Sequence, residues 1–148
     1  MKTLTTTKEL EEFCFYAEKF PYITIDTEFL REKTYYAKLC LVQLALPGKS
    51  KNNAVLVDPL IKDEFSFEPL FRLFKNKNIL KVFHAGRQDL EIFFNLGQCI
   101  PQPLFDTQVA AMVCGFGDQV SYEILAKKVL NVNVDKASRF SDWSRRPL

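Results

Sequence analysis

A change of rhythm part-way along the chain constrains the fold most. Residues 22–29 (YITIDTEF), 35–46 (YYAKLCLVQLAL) and 54–57 (AVLV) are rich in β-branched, aromatic and aliphatic side chains, as suits buried strands. Pro47-Gly48 and Asp58-Pro59 mark turns. Connections this short leave no room for a crossover helix, so the three strands are expected to form an antiparallel meander. After residue 60 the pattern switches. Phe67, Leu70, Phe71 and Phe74 recur at helical spacing over 67–75, residues 79–84 read as an apolar strand, and 86–96 as a helix closed by Gly97. Residues 103–105 predict a brief fifth strand, and 107–113 and 121–130 two more helices. Ahead of the meander, Thr6-Thr7-Lys8-Glu9 has the capping-box pattern, and Leu10, Phe13, Cys14 and Ala17 define a helix over 8–19, ended by Pro21. A meander followed by helix–strand alternation predicts an α/β sandwich with a mixed five-stranded sheet flanked by helices.

Composition sets the outer limits. The length, 148 residues, suits one domain, and the 14 phenylalanines supply its core. A net charge of +2 neither demands nor excludes a polyanionic partner, so any such site depends on local clustering. Cys14, Cys40, Cys99 and Cys114 form no C-x-x-C pair and have no histidine at zinc-ligand spacing. The longest apolar run, 39–46, is broken by Gln43 and is too short to cross a membrane. With no signal-peptide pattern, a reducing cytoplasm is the expected location. No glycine-rich phosphate loop follows a strand, which disfavours a nucleotide-binding module.

Chemistry concentrates at two places. In Asp26-Thr27-Glu28, alternation along a strand turns both acids to one face, with Cα atoms about 6.5–7 Å apart. Their repulsion, roughly 2–3 kcal/mol at an effective dielectric near 20, is reversed by a divalent cation. Solvated acids at a strand end are the alternative. Asp89 is the second place. On a helical wheel it falls inside the apolar arc of Leu90, Ile92, Phe93, Phe94 and Leu96. A carboxylate on a packing face needs a partner, and Arg87, two residues away, does not face it. A metal ion, a salt bridge or the helix N-terminus itself can serve. Oxygen ligands of this kind select Mg²⁺ or Mn²⁺ over zinc, and the matching chemistry is two-metal phosphodiester hydrolysis.

At these residues the chain resembles ribonuclease D, a DEDDy-type member of the DEDD exonuclease superfamily with the ribonuclease-H-like fold. The resemblance is carried in order by IDTEFLREKTYYAKLCLVQLA, VLVDPL, VFHAGRQDLEIF, LFDTQVAAMVCGFG and DKASRFSDWSRRPL. It implies a 3'-5' exonuclease domain over 1–148 that trims single-stranded RNA 3' ends, in the class that processes tRNA precursors. It also implies that Asp26, Glu28 and Asp89 are catalytic carboxylates holding two Mg²⁺ or Mn²⁺ ions. By the same resemblance Asp26 would bridge both ions, Glu28 would bind one and Asp89 the other. Phe29 and Leu30 stand where the family packs apolar side chains against terminal bases, with core packing as the alternative for Leu30.

One departure qualifies this. The family's third motif, a tyrosine with an aspartate four residues on, does not follow the second motif here; the residue four after Tyr122 is Ala126. The expectation is therefore a domain incomplete at its C-terminus, with the final motif helix and the helical HRDC domain absent, and an isolated chain that degrades RNA slowly, if at all. An impaired remnant that only binds metal or nucleic acid, or half of a split enzyme completed by a second chain bearing the missing helix, are the alternatives. An apolar strip left by that helix is expected to invite association or instability. His84, the only histidine, precedes the second motif and is assigned a structural role; Asp106 is expected to cap the helix after it. Lys136, Arg139, Arg145 and Arg146 around Trp143 either contact phosphates or form a solvated chain end.

Overall fold

Thr6 caps the first helix as the capping box requires: its hydroxyl accepts from the Glu9 N–H at 3.2 Å, and the Glu9 carboxylate accepts from the Thr5 N–H at 3.0 Å. The computed structural model describes residues 1–31, 34–61, 64–134 and 142–147. Its strands are β1 (Lys2–Leu4), β2 (Tyr22–Leu30), β3 (Lys38–Ala45), β4 (Ala54–Val57), β5 (Leu80–Phe83) and β6 (Leu104–Asp106). Its helices are α1 (Thr7–Ala17), α2 (Glu68–Lys75), α3 (Arg87–Gly97), α4 (Thr107–Val113) and α5 (Tyr122–Leu130).

The strands form one mixed sheet in the order β1-β4-β3-β2-β5-β6. The meander β2-β3-β4 is antiparallel, whereas β1 joins β4, β5 joins β2 and β6 joins β5 in parallel. Five strands were expected and six are found among the described residues. The additional one, β1, is only Lys-Thr-Leu, too short to show a period, and pairs with Val55–Val57 far along the chain.

Burial along β2 alternates: Ile23, Ile25 and Thr27 are buried, while Tyr22, Thr24 and Asp26 are exposed. Ile25 and Thr27 stand opposite Leu44 and Val42 of β3. This face meets Leu10 and Phe13 of α1, Leu70 and Phe74 of α2 and Phe93 of α3 in one apolar cluster. Gly97 is the last residue of α3, and Gln98 takes the left-handed cap position (φ 48°). The glycine is needed instead for contact between helices, since a Cβ there would lie 2.2 Å from Phe71 Cε2. The apolar arc of α3 is also narrower than the wheel implied: Ile92 and Phe93 are buried, but Phe94 and Leu96 are exposed. The β2–β3 register steps from Glu28↔Leu41 to Phe29↔Leu39, leaving Cys40 as a bulge residue. Among the described residues no helix is long and apolar enough to cross a membrane.

Candidate active site

The site grows out of unequal strand lengths. β5 pairs with β2 only as far as Thr24↔Val82, whereas β2 runs on to Leu30. The end of β2 therefore has a free edge on the β5 side, and α3, the element after β5, begins there. A crevice beyond the carboxyl ends of parallel strands is where open α/β sheets place their ligands.

Asp26 and Glu28 leave β2 on the face away from the helical core. Asp26 lies on the floor of an open cleft of about 460 Å³, with Thr24, Gln43, His84, Thr107 and Tyr122 around it. It is exposed by surface area, yet surrounding protein displaces enough water to push its carboxyl above the usual range; the Thr27 N–H and His84 pull the other way. Glu28 is half-buried. Burial first, then repulsion from Asp26 and Asp89, pushes its carboxyl up to about 7. The Gln43 amide donates to Glu28 Oε1 at 3.2 Å. Gln43, opposite Asp26 in the register, is thus the polar residue that interrupts the apolar run of β3 for a reason.

Asp89 sits in the first turn of α3 and is 7% exposed. Its partner is Thr27, whose hydroxyl donates to Asp89 Oδ1. Thr27, between the two acids in sequence, thus ties the first turn of α3 to the end of β2. Burial raises its carboxyl most, with Asp26 adding to the effect. The three carboxylates thus share one electrostatic field. Among the described residues no three acidic, histidine or cysteine side chains form a ready-made cage for an ion. An all-oxygen donor set short of positive charge fits a hard divalent cation.

The remaining site candidates separate. Phe29 packs partly buried against the core cluster, and Leu30 is half-buried at the strand end. Arg145 is 84% exposed in its side chain and pairs with Asp142 at 2.9 Å. Arg146 is committed elsewhere. Its guanidinium donates to both oxygens of the fully buried Asp58, at 2.5 and 2.6 Å, and to the Cys40, Trp143 and Arg145 carbonyls. Cys40 is the bulge residue, so Arg146 satisfies a carbonyl that the bulge leaves out of the ladder. Lys136 and Arg139 lie outside the described residues. His84 is held by Thr107 Oγ1 (2.9 Å) and the Val120 carbonyl (3.1 Å). Asp106 caps α4 and also binds Ala85 and Gly86. No short motif announces the Thr27–Asp89 and Asp58–Arg146 contacts, which join residues remote in sequence.

Comparison with known proteins places this geometry. The family model described as 3'-5' exonuclease matches residues 1–148. The chain is 63% identical over 146 residues to the ribonuclease D of Jannaschia sp. (strain CCS1), covering 99% of this chain and 38% of that protein. It is 50% identical to the Nitrobacter hamburgensis ribonuclease D, covering 100% of this chain and 37% of the relative. Among solved structures, Escherichia coli RNase D, described as an exoribonuclease involved in structured RNA processing, superposes with a TM-score of 0.89 at 36% identity. That match covers 99% of this chain and 38% of the other. The chain thus spans under two fifths of the length of these relatives, with the ribonuclease-H-like architecture the resemblance implied. On this evidence the chain belongs to the 3'-5' exonuclease family, among the relatives of ribonuclease D.

Proposed function

We propose that residues 1–148 form the ligand-bearing part of a 3'-5' exoribonuclease domain, and that Asp26, Glu28 and Asp89 hold two divalent ions, Mg²⁺ or Mn²⁺. The observation that carries the reading is the shared field at the end of β2, in which Glu28 is pushed up to about 7 by burial and by Asp26 and Asp89. A site so short of positive charge favours a cation. Bound ions supply polarisation of the scissile phosphodiester and stabilise charge on the leaving oxygen. Asp26, lining the cleft, faces the substrate side; Glu28 is steadied by Gln43; Asp89 is presented by the first turn of α3 and would help hold an ion. Leu30 and the exposed edge of Phe29 face the terminal bases. The substrate is a single-stranded RNA 3' end, following the family's ribonuclease D relatives, in the class that matures tRNA. The fourth carboxylate and the tyrosine that orients water come from outside these residues, on the same polypeptide or a second chain.

The test is 3'-end trimming of a single-stranded RNA by the full-length protein with Mg²⁺ or Mn²⁺. Asp26→Ala is expected to lower the rate about 10³-fold or more, equivalent to several kcal/mol of transition-state stabilisation. Trimming that survives Asp26→Ala at the wild-type rate defeats the assignment. Arg145→Ala is expected to weaken RNA binding uniformly across sequences and to lower the salt slope by about one.

A further inference from the structure

Asp106 does more than cap a helix. Its Oδ1 accepts from the Gln108 N–H (2.8 Å) and Val109 N–H (3.4 Å) at the start of α4, and also from the Ala85 N–H (3.0 Å). Its Oδ2 accepts from the Gly86 N–H at 2.9 Å. One side chain therefore closes the beginning of α4 and grips the turn from which α3 departs. Thr107 extends the grip: its hydroxyl donates to the Phe83 carbonyl at 3.1 Å and meets His84 Nδ1 at 2.9 Å. Residues Phe83 to Gly86 are thus held, one after another, by the Asp106-Thr107 pair. The parallel register Phe83↔Asp106 brings the two segments side by side.

That grip acts where α3 lacks its own. Gly86, the N-cap of α3, has no side chain to offer, and no side chain caps that helix. Ala85 is held at φ +56°, a left-handed conformation that is strained for a residue with a Cβ. Gly86 cannot be replaced by a residue with its own capping group, because a Cβ there would lie 2.6 Å from Phe83 Cβ. The first turn of α3 is therefore anchored from outside, and Asp89 lies in that turn. The Leu90 N–H already bonds the Gly86 carbonyl at 2.9 Å, so the rotation of Gly86 sets the rotation of the turn.

We propose that Asp106 is a positioning residue for Asp89, its carboxylate fixing the Ala85–Gly86 turn so that α3 presents Asp89 to the end of β2. The proposal rests on the reading of Asp89 as an ion ligand. It predicts a separable defect. Serine is as good an N-cap as aspartate, but its single oxygen, one bond nearer the backbone and with no counterpart to Oδ2, cannot reach the Ala85–Gly86 turn while it caps α4. Asp106→Ser therefore keeps α4 and releases α3. Asp106→Asn is the milder version: its one carbonyl oxygen takes the Oδ1 place, and an NH₂ group faces the Gly86 N–H.

The experiment is Mn²⁺ titration of the full-length protein, followed by electron paramagnetic resonance, together with hydrogen exchange at Ala85 and Gly86. Asp26→Ala and Asp89→Ala serve as controls. In Asp106→Ser and Asp106→Asn, Mn²⁺ affinity is expected to fall roughly 10–100-fold, as for other groups that orient a ligand without touching the metal. The Gly86 amide should exchange faster in both variants, and the Ala85 amide in Asp106→Ser, while those of α4 keep their protection. Wild-type Mn²⁺ affinity in both Asp106 variants, with those amides released, overturns the positioning role. Unchanged affinity in Asp26→Ala and Asp89→Ala instead overturns the ligand reading beneath it, so the two failures are told apart.

Discussion

Glu28 and Lys81 show how single buried charges set the chain's response to pH. The Glu28 carboxyl stands at about 7 in the folded protein against an ordinary value of 4.5. A carboxyl raised by folding contributes stability that is fully present below pH 4.5 and is lost as pH rises through 7. Without divalent ions the protein is thus expected to be less stable at pH 8 than at pH 5, by about 1 kcal/mol once solvent screening at a half-buried group is allowed for. Urea unfolding in EDTA at the two pH values reads the difference. Glu28→Gln should remove most of it, and a wild-type-sized pH effect in that variant would discard the explanation. Lys81 is fully buried on β5, and its ammonium donates to the Asn76 (2.5 Å) and Gln102 (2.7 Å) carbonyls. Burial pulls it down to about 8. Lys81→Met keeps the volume but strands the Gln102 carbonyl and leaves the Asn76 carbonyl with only the Ile79 N–H at 3.3 Å, and is expected to cost about 1–3 kcal/mol in chemical denaturation. At this scale the sequence was legible where chemistry is local. Asp26 and Glu28 are visible as an alternating pair and Asp89 as an acid on an apolar face. Lys81 passes for one polar residue in a strand, and Arg146 for a member of a solvated basic stretch, because their partners are defined only by the fold.

The elements were legible where a period had room to repeat. The boundaries of β4 and α4 coincide with the apolar runs, and Thr6, Asp106 and Ser121 cap the helices that follow them. Short β1 escaped notice, and Gly97 was read as a helix stop although its role is close approach. Gly97→Ala tests that role. Its new methyl group would meet the Phe71 ring, and overpacking of this kind costs about 1–3 kcal/mol. A lowered melting temperature with unchanged helix content is expected; a neutral result would mean that α2 and α3 separate freely. The join between segment 142–147 and the β3–β4 side of the sheet is of another kind. Asp58 is fully buried and Arg146 only 18% exposed in its side chain. Removing one partner leaves the other charge stranded, at a cost of about 3–5 kcal/mol. Arg146→Met should therefore lose stability well before it loses RNA affinity, whereas Arg145→Ala should do the reverse. Comparing denaturation midpoints with RNA titrations for the two variants checks the division.

For the molecule as a whole, topology places the chemistry: an antiparallel meander meets a parallel extension at β2, and the acids collect where that central strand outruns β5. The order of strands within the meander follows from short connections alone, whereas the parallel placement of β1 and β6 depends on chain segments brought from a distance. One consequence reaches the outer surface. The helical core covers one face of the sheet, but α4 and α5 display large apolar side chains: Val113 and Leu130 are 81% and 69% exposed, with Val109, Met112, Ile124 and Val129 also exposed. Exposed apolar groups in such number on two neighbouring helices mark a surface that water does not favour. The isolated 148-residue chain is therefore expected to self-associate through these helices, with a weight-average mass that rises with concentration above 17.2 kDa in sedimentation velocity. Association of this origin weakens on cooling, because the hydrophobic driving force does. Val113→Lys and Leu130→Lys together should restore a single species of about the monomer mass, 17.2 kDa, without altering Mn²⁺ binding, since neither residue lines the cleft around Asp26. A wild-type chain that sediments at the monomer mass at every concentration shows that these helices are stable in water uncovered.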